Sequence, residues 1–229
     1  MKDWVKLPTG WINEGGLKAL RWKTGEGANN ISALMCLMTI AHHADPDSGE
    51  AMVTYYTLER ATGLSRAKIS GGLDVLQERG IIERRVEKRR STYRLIGMSN
   101  YGWGALPARK LYSGSGDMLF LRDFSLRKAA ELDALKFFFL VVARRGRDTN
   151  AANISYDKIS EYSGIPRERI RSAISLLVTH GLLQVDHIPS RVTKLGVSSA
   201  YRIPFILPYR HMGTSAREAI ELETVDVPF

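Results

Sequence analysis

The sequence predicts a mainly α-helical fold with small β-hairpins, divided into two similar domains. Three observations predict it: two helical segments joined by a glycine turn, an ungapped second copy of that pair, and a β-prone segment after each copy. A chain of 229 residues, 44% hydrophobic and 25% charged, has the length and composition for two globular domains of roughly 100 residues that each bury a core.

The first helix pair covers residues 54–78. Leu58 and Ala61 give its first helix an apolar face, and Gly63 supplies the left-handed conformation at which helices commonly end. Ser65 is a residue type that favours the start of the second helix. The apolar positions of that helix are Ile69, Leu73 and Leu76, spaced by four and three. The pattern predicts a helix-turn-helix.

The same outline returns at residues 155–183. Gly63 corresponds to Gly164, and Arg66 to Arg167, at a constant spacing of 101 positions. The spacing also relates Leu64 to Ile165, Ile69 to Ile170, Leu76 to Leu177, Gly80 to Gly181 and Tyr55 to Tyr156. The two copies therefore match at their turn glycines, at their apolar positions and at one arginine, all at the same spacing. This match indicates an internal duplication.

A β-prone segment with basic residues near its centre follows each helix pair, and we call these two hairpins the wings. The first wing covers residues 81–96 and the second covers 183–205. Tyr93 corresponds to Tyr201 at a spacing of 108, so the second wing is seven residues longer than the first. Helix, strand, helix, turn, helix and hairpin is the order of a winged helix-turn-helix, and it predicts two such domains in tandem.

Composition suggests where the domains begin and end. The predicted parts are an N-terminal winged-helix domain with a tryptophan-rich start at 1–97, a linker at 98–117, a C-terminal winged-helix domain at 118–212, and an acidic tail at 213–229. We expect the tryptophan-rich start to pack on the first domain.

Several expectations concern local structure between the motifs. Residues 118–121 are expected to form a strand or an extended entry, and Ser125 to cap a helix through 128–144. The phenylalanines at 137–139 are expected to serve both the core and an interdomain contact, with self-association as the less favoured alternative. The glycine pair Gly71-Gly72 lies inside a helix, where each glycine costs up to about 1 kcal/mol, and we prefer close helix packing at Gly72 as the reason.

The charge of the chain indicates the class of partner. Lysine and arginine outnumber aspartate and glutamate by 33 to 24, a net charge of +9, which favours nucleic acid before membranes. No segment approaches the roughly 18 consecutive apolar residues of a membrane span, and the first residues lack the apolar core of a signal peptide. With Cys36 as the single cysteine, we expect a cytoplasmic protein associated with the nucleoid or a plasmid.

The second helix of a helix-turn-helix enters the major groove of DNA by its N-terminal half, where arginine or lysine commonly pairs with guanine. The candidates in the first copy are Ser65, Arg66, Lys68 and Ser70, and those in the second are Arg167, Glu168, Arg169, Arg171 and Ser175. The alternative is a solvated face with charge pairs four residues apart. Arg167 and Arg171 repel each other at that spacing, which favours an external anion.

The wings supply a second set of candidates. Basic side chains on a hairpin contact phosphates, although lysine and arginine also protect exposed strand edges from aggregation. The candidates are Arg84, Arg85, Lys88, Arg89, Arg90, Arg191 and Lys194. Because the first wing is the more basic and the second helix pair carries more arginines, we expect the first domain to hold backbone and the second to read bases.

Enzymatic chemistry finds little support in the sequence. The chain has no GxxxxGK[ST] loop, no G-x-S-x-G, no H-E-x-x-H and no paired-cysteine metal site. His42 and His43 are adjacent, so on a helix they point about 100° apart and make a poor chelate. We therefore predict a protein that is not an enzyme, with no catalytic residue, metal or cofactor.

These helix pairs and wings resemble those of tandem winged-helix replication initiators of plasmids and, more loosely, phage replisome organisers. The resemblance covers most of residues 31–206 and implies binding to double-stranded origin repeats, often with repression of the protein's own gene. The predicted function is sequence-specific binding of double-stranded DNA as a plasmid- or phage-type replication initiator or autoregulator. Further partners would be a second copy of the chain, as a homodimer, or replication proteins. The alternatives are a transcriptional regulator of another operon and a winged-helix protein-assembly module that does not bind DNA.

Overall fold

The computed structural model describes residues 2–87, 90–98, 102–189 and 197–206. These residues form nine α-helices, one 3-10 turn and three small antiparallel sheets. The elements, in chain order, are β1 (Trp4–Pro8), α1 (Gly10–Asn13), α2 (Gly16–Ala19), α3 (Gly27–His43), β2 (Glu50–Met52), α4 (Tyr55–Thr62), α5 (Arg66–Glu78), β3 (Ile82–Glu87), β4 (Arg90–Leu95), β5 (Trp103–Pro107), the 3-10 turn Arg109–Leu111, α6 (Leu119–Arg122), α7 (Ala129–Arg144), β6 (Ala151–Asn153), α8 (Tyr156–Ser163), α9 (Arg167–Thr179), β7 (Gln184–Pro189) and β8 (Val197–Arg202).

One order of elements occurs twice. The elements from α3 to β4 follow the order helix, strand, helix, helix, strand, strand, and the elements from α7 to β8 follow the same order. The two resulting sheets have the orders β2-β4-β3 and β6-β8-β7, so the last strand of each set is central. Tyr93 lies opposite Ala51, and Tyr201 lies opposite Ala152, with both tyrosines buried. The predicted strand pairs of the wings are confirmed.

The third sheet joins the beginning of the chain to the segment predicted as a linker. β1 pairs antiparallel with β5, and Trp4 stacks on Trp103 with ring centroids 5.6 Å apart. The two strands carry the same pattern, Trp-x-x-Leu-Pro, 99 positions apart. A second copy of the leading strand therefore lies within residues 98–117. The division of the chain into domains at those boundaries stays a prediction.

The leading residues pack on the first half, as expected, and on the second half as well. Leu7, Leu17 and Leu20 are fully buried, and the ring of Trp11 lies 6.3 Å from that of Phe139 on α7. Helix α2 contacts α8, an element of the second half. The start of the chain thus forms part of one core that runs through the whole molecule.

Helices α3 and α7 pack against each other at the centre of this core. Residues 131–142 of α7 are all buried, including Phe137, Phe138 and Phe139. Phe137 meets Tyr201 edge-on, whereas Phe139 meets Trp11. The phenylalanine run therefore serves contacts within the chain and offers no surface for self-association.

Two local expectations are wrong. Residues 119–122 form the short helix α6 and not a strand or an extended entry, and Met118 N–H donates to Ala61 O at 3.0 Å. Ser125 is not the N-cap of α7, because Lys128 occupies that position. The Ser125 hydroxyl and N–H instead donate to the Glu131 carboxylate, each at 2.8 Å.

None of the helices in the described ranges has the length and apolar composition that crossing a bilayer requires.

Candidate nucleic-acid interface

Each helix pair is joined by a glycine in the left-handed region. Gly63 ends α4 with φ +72°, and Gly164 ends α8 with φ +68°. A buried hydroxyl stabilises each turn in the same way. Thr62 Oγ1 donates to Leu58 O at 2.6 Å, and Ser163 Oγ donates to Ile159 O at 2.5 Å. The predicted glycine turns are confirmed, and the hydroxyls are an additional device that the hydrophobic pattern did not reveal.

The hydroxyl of Ser65 acts in capping. Ser65 is the N-cap of α5, and its Oγ accepts from Lys68 N–H at 3.5 Å. Thr54 and Ser155 cap α4 and α8 in the same manner. Helix α9 differs, because Pro166 precedes it and supplies no side-chain cap. Ser65 therefore fixes the start of its helix, and this role competes with base contact.

The corresponding arginines Arg66 and Arg167 both lie at the exposed beginning of the second helix. Their side chains are 74% and 62% exposed. Arg66 Nε lies 3.3 Å from Glu59 Oε1, and Arg167 pairs with Asp157, so each contacts a carboxylate on the preceding helix. Exposed ion pairs contribute about 0 to 1 kcal/mol, so a phosphate or a guanine can compete for both guanidinium groups.

Arg169 lies in a different environment from its neighbours. Its Nε lies 2.7 Å and its Nη2 2.5 Å from Asp133 Oδ2 on α7, and the Asp133 side chain is only 2% exposed. Burial raises the pKa of Asp133, although the hydrogen bond and charge of Arg169 oppose that shift. The Arg169 guanidinium thus ties α9 to the core, and this contact competes with base reading by Arg169, which stays a prediction.

Lys136 adds a second buried charge beside this pair. It is buried on α7, and its Nζ donates to Leu20 O at 3.0 Å. Burial lowers the pKa of Lys136 to about 8. The cluster therefore joins α7, α9 and the residues that follow α2.

The remaining candidates on the two second helices face solvent to different degrees. Lys68 and Ser70 are half-buried, whereas Glu168, Arg171 and Ser175 are exposed. Within the described part of the chain, the Arg171 guanidinium makes no ion pair. Arg171 is therefore the cation on α9 that is most open to an external partner.

Two of the first-wing candidates have described side chains, and they differ: Arg84 is held by contacts and Arg85 is open. The Arg84 side chain is 20% exposed; its Nη2 donates to Tyr55 Oη at 3.1 Å, and its Nη1 lies 3.6 Å from Asp74 Oδ1. Arg85 is 64% exposed and lies 4.0 Å from Glu83. Arg84 thus fastens the wing to α4 and α5, while Arg85 is available to a ligand.

The other wing candidates are not described by the structure at the level of side chains. The backbone of Arg90 begins β4, and nothing is described of its side chain. Lys88, Arg89, Arg191 and Lys194 lie outside the described residues, as does the predicted acidic tail. Their role in binding stays a prediction.

The glycine pair of α5 lies against α3. A Cβ at Gly72 would stand 2.7 Å from Ser32 C and 2.8 Å from Ala33 N, whereas a Cβ at Gly71 would meet only the end of the Asn29 side chain at 2.9 Å. Backbone approaches backbone at Gly72, and the expectation of close helix packing there is confirmed.

Two further cations lie over the helix turns, and sequence reasoning did not identify them. A Cβ at Gly164 would stand 3.3 Å from Lys18 Cα, and a Cβ at Gly63 would stand 3.1 Å from Arg122 Cγ. Lys18 belongs to α2 and Arg122 to α6, so each turn is covered by a helix that precedes the other half. The repeated Trp-x-x-Leu-Pro pattern was the available signal that the leading segments also correspond.

His42, considered above as a metal ligand, has both ring nitrogens engaged. Nδ1 lies 2.7 Å from the Tyr112 hydroxyl, and Nε2 lies 2.9 Å from Pro107 O. Burial lowers the pKa of His42 to about 3, so the ring is neutral; it therefore donates through Nε2 and accepts from Tyr112. The histidine joins α3 to the end of β5 and to Tyr112 in the segment that follows.

The known families add no further constraint. No protein-family model matches the chain, and no match is found among curated proteins. The function must therefore be inferred from the residues and their geometry.

Proposed function

We propose that this chain is a sequence-specific double-stranded DNA-binding protein built from two winged helix-turn-helix units that arose by internal duplication. One observation carries the proposal. A helix pair with a left-handed glycine turn occurs twice, and each second helix begins with an exposed arginine at the same position, Arg66 or Arg167. The N-terminal end of such a helix combines unpaired N–H groups, a positive dipole and a flexible cation, which suits a phosphate or the edge of a guanine.

The parts of each unit would act on different features of DNA. Arg171 and Arg167 on α9 would contact base edges in the major groove, with Glu168 accepting from a cytosine amino group or orienting an arginine. Arg85 on the first wing would contact phosphates. Arg84, Arg169 and Ser65 would hold the helices and the wing in position for these contacts. The net charge of +9 would assist association with any duplex.

The process that we propose for this binding is plasmid- or phage-type replication initiation, or control of the protein's own gene. Its support is the resemblance of the helix pairs and wings to replication initiators. Recovery of bound fragments from the DNA that encodes the chain tests it: sites clustered at a replication origin or at its own promoter are expected. Sites scattered among unrelated promoters would instead indicate a general transcription regulator.

A salt titration tests DNA binding itself. Fluorescence anisotropy with a labelled pool of 30-bp duplexes should show binding at 50 mM salt that weakens at least a hundredfold by 200 mM, because about five or more phosphate contacts release condensed counterions. The matching single strand, with its lower charge density, is the control. Absence of duplex binding at 50 mM salt would contradict the proposal and favour a protein-assembly module.

A further inference from the structure

We infer that a surface cavity beside β1 is a binding site for a free nucleoside phosphate. The cavity has a volume of about 760 Å³, within the range of small-molecule sites. Residues of β1 and of the end of α3 line it, together with Lys110 and Phe205. None of the described residues that line the cavity belongs to α5 or α9, so the site is separate from the proposed DNA contacts.

The first observation is an excess of positive charge around the cavity. Three ammonium groups line it, those of Lys2, Lys6 and Lys110, and Asp3 is the one carboxylate among the described lining residues. Lys2 and Lys110 are exposed, and within the described ranges neither makes an ion pair. Burial lowers the pKa of His42 to about 3, so this lining residue stays neutral and adds no charge. The cavity therefore favours an anionic ligand.

The second observation is an aromatic face on one wall. Trp4 stacks on Trp103 with the ring planes 6° apart, and Trp4 is nevertheless 40% exposed. Because Trp103 covers one face of the Trp4 ring, the exposed part comprises the opposite face and the edges. Lys6 Nζ lies 5.7 Å from the Trp103 ring centroid and donates to Pro46 O at 3.5 Å, which places its charge beside the stack. A planar ring can stack on Trp4 within reach of this cation.

The third observation is the backbone of Phe205, a second exposed aromatic residue that lines the cavity. Phe205 is 37% exposed and has φ +71°, a left-handed conformation that residues other than glycine rarely adopt. The buried Asn150 side chain holds the turn on both sides, because its Nδ2 donates to Ile203 O at 2.8 Å and to Ile206 O at 2.7 Å. Strain maintained at an exposed ring beside a cavity points to a function for that ring.

Together these features specify a ligand with a planar ring and a negative charge. A nucleoside phosphate has both: its base would stack on Trp4 or Phe205, and its phosphates would contact Lys2 and Lys110. A purine offers the larger stacking surface. Single-stranded nucleic acid contains the same groups, but proteins that bind single strands present a groove that follows the backbone over several nucleotides. The limited cavity therefore favours a free nucleotide.

Calorimetric titration of the full chain with ATP and with GTP, in the absence of Mg²⁺, tests the inference. At least one of them should bind with a Kd below about 100 μM. Adenosine, which lacks the charge, and inorganic triphosphate, which lacks the ring, should each bind at least about tenfold more weakly. Equal affinity for either partial ligand would overturn the inference, and so would absence of binding by both nucleotides.

The variant Phe205→Gly separates ligand binding from folding. Glycine removes the ring and relieves the left-handed backbone, so nucleotide binding should weaken about tenfold while the thermal midpoint is unchanged or higher. A lower thermal midpoint with unchanged nucleotide affinity would show that the ring serves packing alone, which contradicts the inference.

Two adjacent cations provide a test that leaves the aromatic residues intact. Lys110 and Arg109 are both exposed on the 3-10 turn, but only Lys110 lines the cavity. Lys110→Ala should weaken nucleotide binding about threefold or more, and Arg109→Ala, the matched control, less than about twofold. Equal losses would indicate attraction by net charge and overturn the inference. A 20-nucleotide single strand that binds the wild type, is weakened by Phe205→Gly and is not displaced by ATP or GTP would also overturn it, by assigning the cavity to a nucleic-acid strand.

Discussion

The two second helices share a sequence outline but are anchored to the core in different ways. Helix α5 lies on α3 by direct backbone approach at Gly72, whereas Ala173 occupies the corresponding position of α9 and is buried. Helix α9 has the additional ion pair between Arg169 and the buried Asp133. Corresponding positions therefore do not have corresponding roles, and an arginine on a predicted DNA-facing helix must first be tested for a partner inside its own protein.

The two wings also differ in the side chains that attach them to the rest of the molecule. Arg84 fastens the first wing to Tyr55 and Asp74, while the corresponding residue of the second wing is Val185. The second wing has its own pair, with Arg202 Nε 2.8 Å from Asp186 Oδ2. In each half, some basic residues therefore attach elements to the core while others are exposed.

The largest effect is expected from removing the anchor of α9. Arg169→Ala leaves the buried carboxylate of Asp133 without its partner and should lower the free energy of unfolding by about 3 kcal/mol. Urea denaturation measures this. Arg171→Ala, on the same helix but exposed, is the matched control and should change the stability by less than about 0.5 kcal/mol.

The same variant should show a characteristic pH dependence. The pKa of Asp133 is raised in the folded protein. At pH values above the ordinary pKa of an aspartate, the folded protein therefore retains a proton that the unfolded chain has lost. The free energy of unfolding consequently falls as the pH rises through this range. Without Arg169 the pKa should rise further. The stability deficit of the variant should therefore be smallest near pH 4 and grow toward pH 7; a deficit that does not change with pH would show that Asp133 is not responsible.

The anchor of α5 should respond to an added methyl group. Gly72→Ala places a Cβ against the backbone of Ser32 and Ala33 and should cost about 2 kcal/mol, since overpacking outweighs the gain in helix propensity. Gly71→Ala is the matched control, because only the mobile end of Asn29 must move, and it should stay within about 0.5 kcal/mol of wild type. Equal effects of the two changes in urea denaturation would remove the case for close packing at Gly72.

An effect of intermediate size is expected on sequence discrimination, and it should differ between the two halves. Arg171→Ala should reduce the ratio of specific to random duplex affinity about tenfold, because one arginine contact to a base edge discriminates by about 1 to 3 kcal/mol. Arg66→Ala, in the half expected to hold backbone, should change that ratio less than threefold. Competition binding with both duplexes measures the ratio, and a larger loss from Arg66→Ala would reverse the assignment of roles.

The smallest effect is expected on the first wing. Arg85→Ala should weaken binding to every duplex about threefold and reduce the salt slope by about one, with stability unchanged. Arg84→Ala should instead lower the free energy of unfolding by about 1 kcal/mol, because its contacts to Tyr55 and Asp74 are lost. Anisotropy at several salt concentrations, together with urea denaturation, distinguishes the two; a drop in stability with Arg85→Ala would show that it too is an anchor.

The sequence predicted what local chemistry dictates. Gly63 and Gly164 appear at constant spacing because each turn needs a left-handed residue, and the apolar positions around them follow helical periodicity. The pairing of β1 with β5 was missed because it joins residues about 100 positions apart. In addition, the two strands repeat at a spacing of 99 positions, whereas the helix pairs repeat at 101.

The exposed and anchored arginines could not be separated from sequence for a similar reason. Arg169 and Arg171 have the same chemistry on one helix, and only the three-dimensional position of Asp133 distinguishes them. The available signal was the presence of Asp133 and Lys136 among the apolar residues of α7, since buried charges require partners.

The pairing of β1 with β5 also has a consequence for how binding would depend on the amount of protein. Proteins that contact DNA through two similar units are commonly dimers, whose subunits dissociate on dilution and then bind DNA more weakly. Here a peptide chain joins the two halves, so their effective concentration is independent of how many molecules a cell contains. Binding by single chains would therefore follow a simple hyperbolic isotherm, and the occupied fraction of sites would rise in a graded manner with each molecule made.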